Sequence, residues 1–171
     1  KTRHALEFYQ QQLTLAREIG HHLSEGKALS SLGNIYAVLG ETRKAVEFYE
    51  QALIVVRKIG DRRSEGAVLG NLGVVYKNLG EPWRAVEFYE QALEVLRGLG
   101  DRRGEGLTLF NTSLSLDDLG DRARAIAHAE ASLEILERIE SPDAEEVRAQ
   151  IARWRNSKTT RLSRMLQRLR A

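Results

Sequence analysis

Residues 46–53 read VEFYEQAL, and residues 86–93 carry the same eight letters. A related phrase lies one period before the first copy, where residues 6–13 read LEFYQQQL. A fourth version follows the second copy, where residues 126–133 read IAHAEASL and have lost both aromatic residues. The constant interval of 40 residues indicates an internal repeat, and that repeat decides the fold.

The repeat extends beyond these phrases. When residues 41–80 are aligned with residues 81–120 without a gap, 22 of the 40 positions are identical. Between regularly spaced glycines, apolar residues recur at intervals of three and four, which predicts helices that end at a left-handed glycine. No run alternates with period two for long enough to predict a strand. The predicted helices cover about 3–19, 23–39, 42–59, 62–79, 82–99, 102–119 and 122–139.

Composition excludes several classes of protein. The chain has 171 residues, of which 42% are hydrophobic and 29% charged, with a net charge of +2. No segment reaches the roughly 18 apolar residues that predict a membrane-spanning helix. Because there is no cysteine, disulfides and thiolate metal sites are excluded, which is compatible with the cytoplasmic location that we expect. The N-terminus does not combine a basic flank with an apolar stretch, so no signal peptide is predicted.

Two glycines lie in the middle of predicted helices, where glycine is unfavourable by about 1 kcal/mol relative to alanine. Gly33 and Gly73 recur in register, so a packing reason is expected. We predict that an aromatic ring of a neighbouring helix occupies the space of the missing side chain. The available rings are Tyr36, Tyr49, Tyr76 and Tyr89.

These positions resemble the signature of the tetratricopeptide repeat, with leucine in place of its first tryptophan. The matching residues are Leu29, Leu32, Gly33, Tyr36, Ala45, Tyr49 and Ala52, and again Leu69, Leu72, Gly73, Tyr76, Ala85, Tyr89 and Ala92. The family usually repeats every 34 residues. The longer period resembles the long-helix variety seen in Leu-Gly-Asn-rich spindle-orientation adaptors, kinesin light chains and bacterial signalling proteins.

This resemblance implies an all-α, right-handed superhelical solenoid of antiparallel helix pairs. We expect about 3.5 repeats and a C-terminal capping helix. The expected parts are a repeat array at 1–141 (a half repeat at 1–20 and repeats at 21–60, 61–100 and 101–140) and a capping and basic amphipathic helix at 142–171.

The resemblance also implies that the first helix of each pair lines a concave groove that binds a protein or peptide. Helical projection places Asn71 and its repeat counterpart Asn111 on this face, and an amide offers both a donor and an acceptor to a peptide main chain. The alternative is that these asparagines cap a helix or stay hydrated. The predicted peptide-binding residues are Lys27, Ser31, Asn34, Asn71, Val74, Lys77, Asn78, Phe110, Asn111, Leu114 and Asp118.

Charged residues at the rim of the groove are candidates for contact with an acidic partner. They are Arg62, Arg63, Arg102 and Arg103. Arg62 with Glu65, and Arg102 with Glu105, are alternatively expected to form surface ion pairs. The dicarboxylate clamp of chaperone-binding relatives fits poorly, because its basic positions are occupied by Ser30, Leu107 and Asn111.

Phe110 and Leu114 are expected to be exposed apolar groups that need cover. Either a partner or the C-terminal segment of the chain itself is expected to provide it. That segment begins at Ser141 and Pro142, a suitable helix start, and predicts a capping helix at about 142–155. After Lys158 it becomes basic and amphipathic, which is typical either of a helix that binds another helix, an anionic membrane or nucleic acid, or of a simple continuation of the cap.

No catalytic or cofactor motif is found in the sequence. His21 and His22 are adjacent and point about 100° apart on a helix, so we expect a solvated helix start and no metal site. His128 replaces a phenylalanine of the repeat and is interpreted as a packing position. We therefore predict a non-enzymatic, cofactor-free protein that binds a protein or peptide, with no nucleic-acid partner.

Two other functions stay open from sequence alone. One is a self-assembly or regulatory module that associates through the N-terminal half repeat or the C-terminal helix. The other is the sensor arm of a larger signalling protein.

Overall fold

The computed structural model describes the backbone of residues 2–169 and the side chains of residues 2–156. That part of the chain contains eight α-helices and no strand. The first seven helices begin and end within one residue of the predicted bounds, which confirms the all-α repeat. The helices are α1 Thr2–Glu18, α2 His22–Val38, α3 Thr42–Ile59, α4 Arg62–Asn78, α5 Pro82–Leu99, α6 Arg102–Asp118, α7 Arg122–Arg138 and α8 Ala144–Leu169.

The eighth helix starts two residues later than predicted. It starts at Ala144, because Ser141 and Asp143 form a turn in which the Ser141 hydroxyl donates to the Asp143 carboxylate at 2.8 Å. It then continues as one helix to Leu169, so the backbone follows the alternative of a simple continuation of the cap. The apolar side chains of α8 among the described residues are buried, with Val147 0% and Trp154 3% exposed. The side chains of the basic tail lie outside the described residues.

The chain divides into two compact units, Lys1–Gly100 and Asp101–Ala171. In the first unit, α1 packs on α2, α2 on α3, α3 on α4 and α4 on α5. In the second unit, α7 packs on both α6 and α8. Connections of only a few residues make successive helices antiparallel.

Left-handed residues end the helices as predicted. Gly60 and Gly100 follow α3 and α5 with φ of 70° and 68°. Glu140 occupies the same repeat position after α7 and has φ of 53°, the one non-glycine residue with positive φ in the described chain. A side chain with a Cβ atom is strained in this conformation by about 1–2 kcal/mol.

Tyrosine rings fill the space at the mid-helix glycines, which confirms the packing prediction. A methyl group placed on Gly33 would lie only 2.6 Å from Cε1 of Tyr49, and Gly73 meets the ring of Tyr89 in the same way. Both rings are nearly fully buried. The glycines therefore allow α2 to approach α3, and α4 to approach α5, over an aromatic ring.

The other two tyrosines of the repeat have a different role. Tyr36 stacks on Phe48 with ring centroids 5.2 Å apart and an interplanar angle of 7°. Tyr76 stacks on Phe88 at the same distance and 4°. Each helix pair in the first unit is thus joined by one ring on a glycine and one pair of stacked rings.

The second unit has lost the glycine and the ring together. Ser113 and Ala129 occupy the repeat positions of Gly73 and Tyr89, and both are fully buried. The Ser113 hydroxyl donates to the backbone oxygen of Phe110 at 2.6 Å, which satisfies its polar group inside the unit. The paired loss supports the steric explanation, because a side chain at residue 113 fits where no ring is present.

A polar contact also joins consecutive repeats in the first unit. The Arg17 Nε atom donates to Glu25 at 2.9 Å, and its Nη2 atom donates to Gln51 at 2.9 Å. Forty residues later, Arg57 donates to Glu65 at 2.8 Å and to Gln91 at 3.0 Å. The hydrogen bond from Arg17 lowers the pKa of Glu25, so this carboxylate stays charged at neutral pH.

Two glycines on α4 provide a matched stability test. Gly73→Ala should lower the free energy of unfolding by about 1–3 kcal/mol, because the new methyl group overlaps the Tyr89 ring. Gly70→Ala should raise it by up to about 1 kcal/mol, because a methyl group there meets no atom within 4 Å and alanine favours the helix. Urea denaturation followed by circular dichroism measures both. Equal shifts would contradict the packing role of Gly73.

The strained residue after α7 leads to a second prediction. Glu140→Gly should raise the free energy of unfolding by about 0.5–1 kcal/mol, since glycine adopts positive φ without a clash. Ala127→Gly, at an exposed position within α7, should instead lower it by about 1 kcal/mol. Thermal denaturation of the three proteins checks the opposite signs.

Candidate peptide-binding face

The side chains of Asn34 on α2 and Asn71 on α4 meet directly. Asn71 Nδ2 donates to Asn34 Oδ1 at 3.2 Å, and the Tyr49 hydroxyl donates to the same oxygen at 2.6 Å. Two donors on one oxygen fix which way the Asn34 amide points. Neither the amino group of Asn34 nor the amide oxygen of Asn71 has a hydrogen-bond partner within the described chain.

Tyr49 links this pair of amides to the core. Its ring lies against Gly33 of α2, and its hydroxyl donates to Asn34, the next residue along α2. Burial raises the pKa of Tyr49 to about 12, so the hydroxyl keeps its proton and remains a donor at neutral pH. The orientation of Asn34 therefore depends on the same ring that sets the distance between α2 and α3.

The other predicted residues of the first unit lie at the surface to different degrees. Lys27, Asn34, Val74 and Asn78 are exposed, and Val74 keeps 40% of its surface. Ser31, Asn71 and Lys77 are half-buried. Hydrogen bonds from Ser64 lower the pKa of Asp61, the N-cap of α4, and the positive charge of Lys27 contributes to this.

In the second unit, Asn111 and Leu114 are half-buried and Asp118 is exposed. Phe110 is buried with 7% of its surface exposed, so the expectation of an exposed aromatic was wrong. Trp154 Nε1 donates to Asp117 Oδ2 at 2.8 Å, which places α8 beside the face of α6 that carries both Asp117 and, two turns earlier, Phe110.

The contact between α6 and α8 also involves the start of α7. Arg122 forms an ion pair with Asp117 and lies over the Trp154 ring, with its guanidinium carbon 5.8 Å from the ring centroid. Phe110 lies on the same helix as Asp117 and is itself only 7% exposed. Phe110 is therefore a core residue of the second unit.

The candidate rim arginines are mostly engaged within the protein. Arg62 binds Glu65 at 2.6 Å and Arg102 binds Glu105 at 2.5 Å, as expected. Both glutamates are only 5% exposed, so these pairs are more than surface contacts. Arg103 binds Asp143 at 3.0 Å, a pair that the sequence analysis missed because the two residues are 40 positions apart. Arg63 is exposed and has no ion pair in the described chain.

The histidines have local partners. His21 caps α2, because its Nδ1 atom accepts the Ser24 amide at 3.3 Å. His22 lies 3.2 Å from Glu25, and His128 lies 2.9 Å from the backbone oxygen of Arg124. Among the described residues, no group of three or more metal-binding side chains is found.

Helix pairs with a 40-residue period define a helical repeat protein. The family model for the tetratricopeptide repeat matches residues 4–58, 28–98 and 64–138. The chain belongs to the tetratricopeptide repeat family, whose repeats generally mediate protein–protein interaction. No curated protein sequence matches the chain.

Solved structures share the fold at low sequence identity. A putative kinesin light chain from Podosopora anserina has 19% identity and a TM-score of 0.77, covering 99% of this chain and 85% of that one. BtubC from P. vanneervenii has 20% identity and a TM-score of 0.76, covering 92% and 67%. A signal transduction ATPase with a tetratricopeptide repeat sensor from Pyrococcus horikoshii has 23% identity and a TM-score of 0.81.

The chain covers 25% of the length of that ATPase, although 92% of the chain itself is matched. Identities this low establish a shared fold only. The partner of this chain therefore has to be inferred from the residues of the chain itself. Within the described range, no helix is both long enough and apolar enough to span a membrane.

The burial of Phe110 gives a prediction that separates a core role from a binding role. Phe110→Ala should lower the free energy of unfolding by about 3–5 kcal/mol, because it removes a buried ring. Val74→Ala, on the exposed face of α4, should change it by less than about 1 kcal/mol. Urea denaturation compares the two. A stable Phe110→Ala protein would show that residue 110 is not part of the core.

Proposed function

We propose that the face formed by α2 and α4 binds the main chain of an extended peptide segment from a partner protein. The observation that supports this is the fixed amide pair of Asn34 and Asn71. The amino group of Asn34 and the amide oxygen of Asn71 are available to form hydrogen bonds with a bound ligand. A peptide unit offers one acceptor and one donor, which matches these two groups.

Preorganisation strengthens this proposal. Ordering a mobile side chain on binding costs conformational entropy. The amide of Asn34 is already held by the Tyr49 hydroxyl, so this entropy is not lost when a peptide binds. The alternative role for the pair is to join α2 and α4 without a ligand. The exposed position of Asn34 favours binding, since a purely structural pair gains most when it is shielded from water.

The residues around the amide pair suggest an internal peptide segment rather than a chain end. A terminal carboxylate needs cationic partners, and the positions that carry them in chaperone-binding relatives hold Ser30, Leu107 and Asn111 here. Val74 provides an apolar contact, and Asn78 a polar one, on the same exposed side of α4. Specificity then comes from small apolar and polar side chains of the ligand.

In the second unit, Asn111 and Leu114 form the corresponding surface, with Asp118 at its exposed end. We infer that this surface also contacts partner proteins, by the same combination of an amide and an apolar side chain. Arg63 in the first unit is the rim cation suited to an acidic side chain of a ligand.

The test uses a peptide selected on the chain from a displayed library of random sequences. Asn71→Ala and Asn111→Ala together should weaken its binding, by about threefold to tenfold for each amide that contacts the peptide, while the chain stays folded. Isothermal titration calorimetry measures the affinity and circular dichroism the fold. Gln11→Ala, an exposed residue of α1, is the control and should have no effect.

Tyr49→Phe refines the test. This variant keeps the ring on Gly33 but removes the hydroxyl that orients Asn34, so affinity should fall without a large loss of stability. Unchanged affinity in both the asparagine and the Tyr49→Phe proteins would rule out the amide pair as the binding site.

A further inference from the structure

Gly70 lies at the centre of α4, where the packing of the chain does not require a glycine. Glycine at such a position destabilises a helix relative to alanine, because its backbone loses more conformational freedom on folding. At Gly33 and Gly73 the space of the missing side chain holds a tyrosine ring, and at Gly66 it holds Val95. A methyl group on Gly70 would meet no heavy atom within 4 Å. The contacts of the described residues therefore do not explain this glycine.

The equivalent positions of the other two repeats carry side chains, Ser30 in α2 and Phe110 in α6. The Ser30 hydroxyl donates to the backbone oxygen of Gly26 at 2.9 Å, and the ring of Phe110 is buried. The repeat thus accepts both a small and a large side chain at this position. Its absence is specific to α4, the helix that also carries Asn71.

The space beside Gly70 adjoins the amide pair and is bordered by apolar side chains. Asn71 is the next residue of the chain, and Ala67 and Val74 lie one turn away in either direction on the same side of α4. Both are exposed, and Gly70 between them is half-buried. The glycine backbone is therefore the floor of a shallow depression between Ala67 and Val74, which we call the Gly70 notch.

The charged residues on this side of α4 lie outside the notch. Arg63 and Lys77 are each seven residues from Gly70, or about 10 Å along the helix axis. The side chains of α4 that border the floor of the notch, Ala67 and Val74, carry no hydrogen-bonding group. A bound group thus gains from dispersion contacts and from removal of apolar surface from water.

We propose that the Gly70 notch receives an apolar side chain, such as valine or leucine, of the peptide that binds the amide pair of Asn34 and Asn71. The proposal rests on the peptide-binding function proposed above and adds a requirement for the ligand. In an extended segment, side chains project away from the main-chain groups that hydrogen-bond to the two amides. A side chain beside the bonded peptide unit is therefore suited to the notch next to Asn71.

The proposal explains why glycine is retained at a cost in stability. Alanine at residue 70 favours the helix, but its methyl group occupies the floor of the notch and displaces the ligand side chain. Gly70→Ala should therefore raise the urea midpoint of unfolding and weaken peptide binding together. A residue with only a structural role would not produce these opposite effects on stability and affinity.

A subtractive selection provides the probe. Peptides from a displayed library of random sequences are selected on the complete chain, and those that also bind the Gly70→Leu chain are removed. The retained peptides should share an apolar residue at one position and bind Gly70→Leu at least about tenfold more weakly in isothermal titration calorimetry. Circular dichroism should show that Gly70→Leu stays folded. Recovery of no peptide that distinguishes the two chains would overturn the proposal.

The smaller substitution and its control use the same retained peptides. Gly70→Ala should bind them at least about threefold more weakly. Gly98→Ala is the matched control, because a methyl group on this exposed glycine in the last turn of α5 also meets no atom within 4 Å. It should leave the affinity unchanged. Equal affinities of the unmodified and Gly70→Ala chains would contradict the proposal.

Replacement of the shared apolar residue in the peptide by alanine shows whether a side chain enters the notch. This replacement should weaken binding to the unmodified chain by about fivefold to tenfold. On the Gly70→Leu chain it should change the affinity by less than about twofold, because the side chain no longer has a place to bind. Equal losses on the two chains would show that leucine blocks the main chain instead.

Asn71→Ala separates the notch from the amide pair. It should weaken binding of the retained peptides but leave their preference for glycine over leucine at residue 70. If Asn71→Ala and Tyr49→Phe leave the affinity unchanged while Gly70→Leu lowers it tenfold, the amide pair is rejected and the notch is supported. If Asn71→Ala weakens the binding of every selected peptide and Gly70→Leu of none, the notch is rejected and the amide pair stands.

Discussion

The close approach of a tyrosine ring to a glycine in the facing helix is the contact on which the first unit depends. The contact of Tyr49 with Gly33 sets the distance between α2 and α3. The contact of Tyr89 with Gly73 sets the distance between α4 and α5 in the same way. Because a single methyl group would overlap the ring, a side chain at the glycine is expected to cost packing free energy. The repeated aromatic phrase persists for this reason. In the second unit Ala129 replaces the tyrosine, and Ser113, which is larger than glycine, occupies the repeat position of Gly73.

Polar contacts supplement this packing between repeats. Arg57 reaches from one repeat to Glu65 and Gln91 of the next, and Arg17 does the same forty residues earlier. The buried Glu65 also accepts from Arg62 at 2.6 Å, so its charge is compensated on both oxygens. A buried carboxylate without such partners would be strongly unfavourable. The stack in the first unit is therefore held by rings within a pair and by charged hydrogen bonds between pairs.

The helices could be predicted from sequence because their determinants are local and periodic. Apolar spacing marks the faces, and a glycine with positive φ marks each end, so α1 to α7 were located within one residue. The amide pair could not be predicted in the same way. Asn34 and Asn71 are 37 residues apart, and their bond depends on the relative position of two helices and on a tyrosine hydroxyl. Phe110 illustrates the same limit, because helical projection from the sequence does not show that only 7% of its surface is exposed.

Tyr49 shows how core packing and surface chemistry become coupled in a repeat protein. Its ring belongs to the packing that every repeat needs, while its hydroxyl acts on one surface residue in one repeat. The next repeat keeps the ring as Tyr89 but has Val74 at the position of Asn34, so the same architectural residue serves two different surfaces. A repeat can thus diversify its ligand-binding face by changing a single exposed residue above a conserved ring position. Such a change leaves the free energy of packing almost untouched, because only atoms outside the buried contact are exchanged.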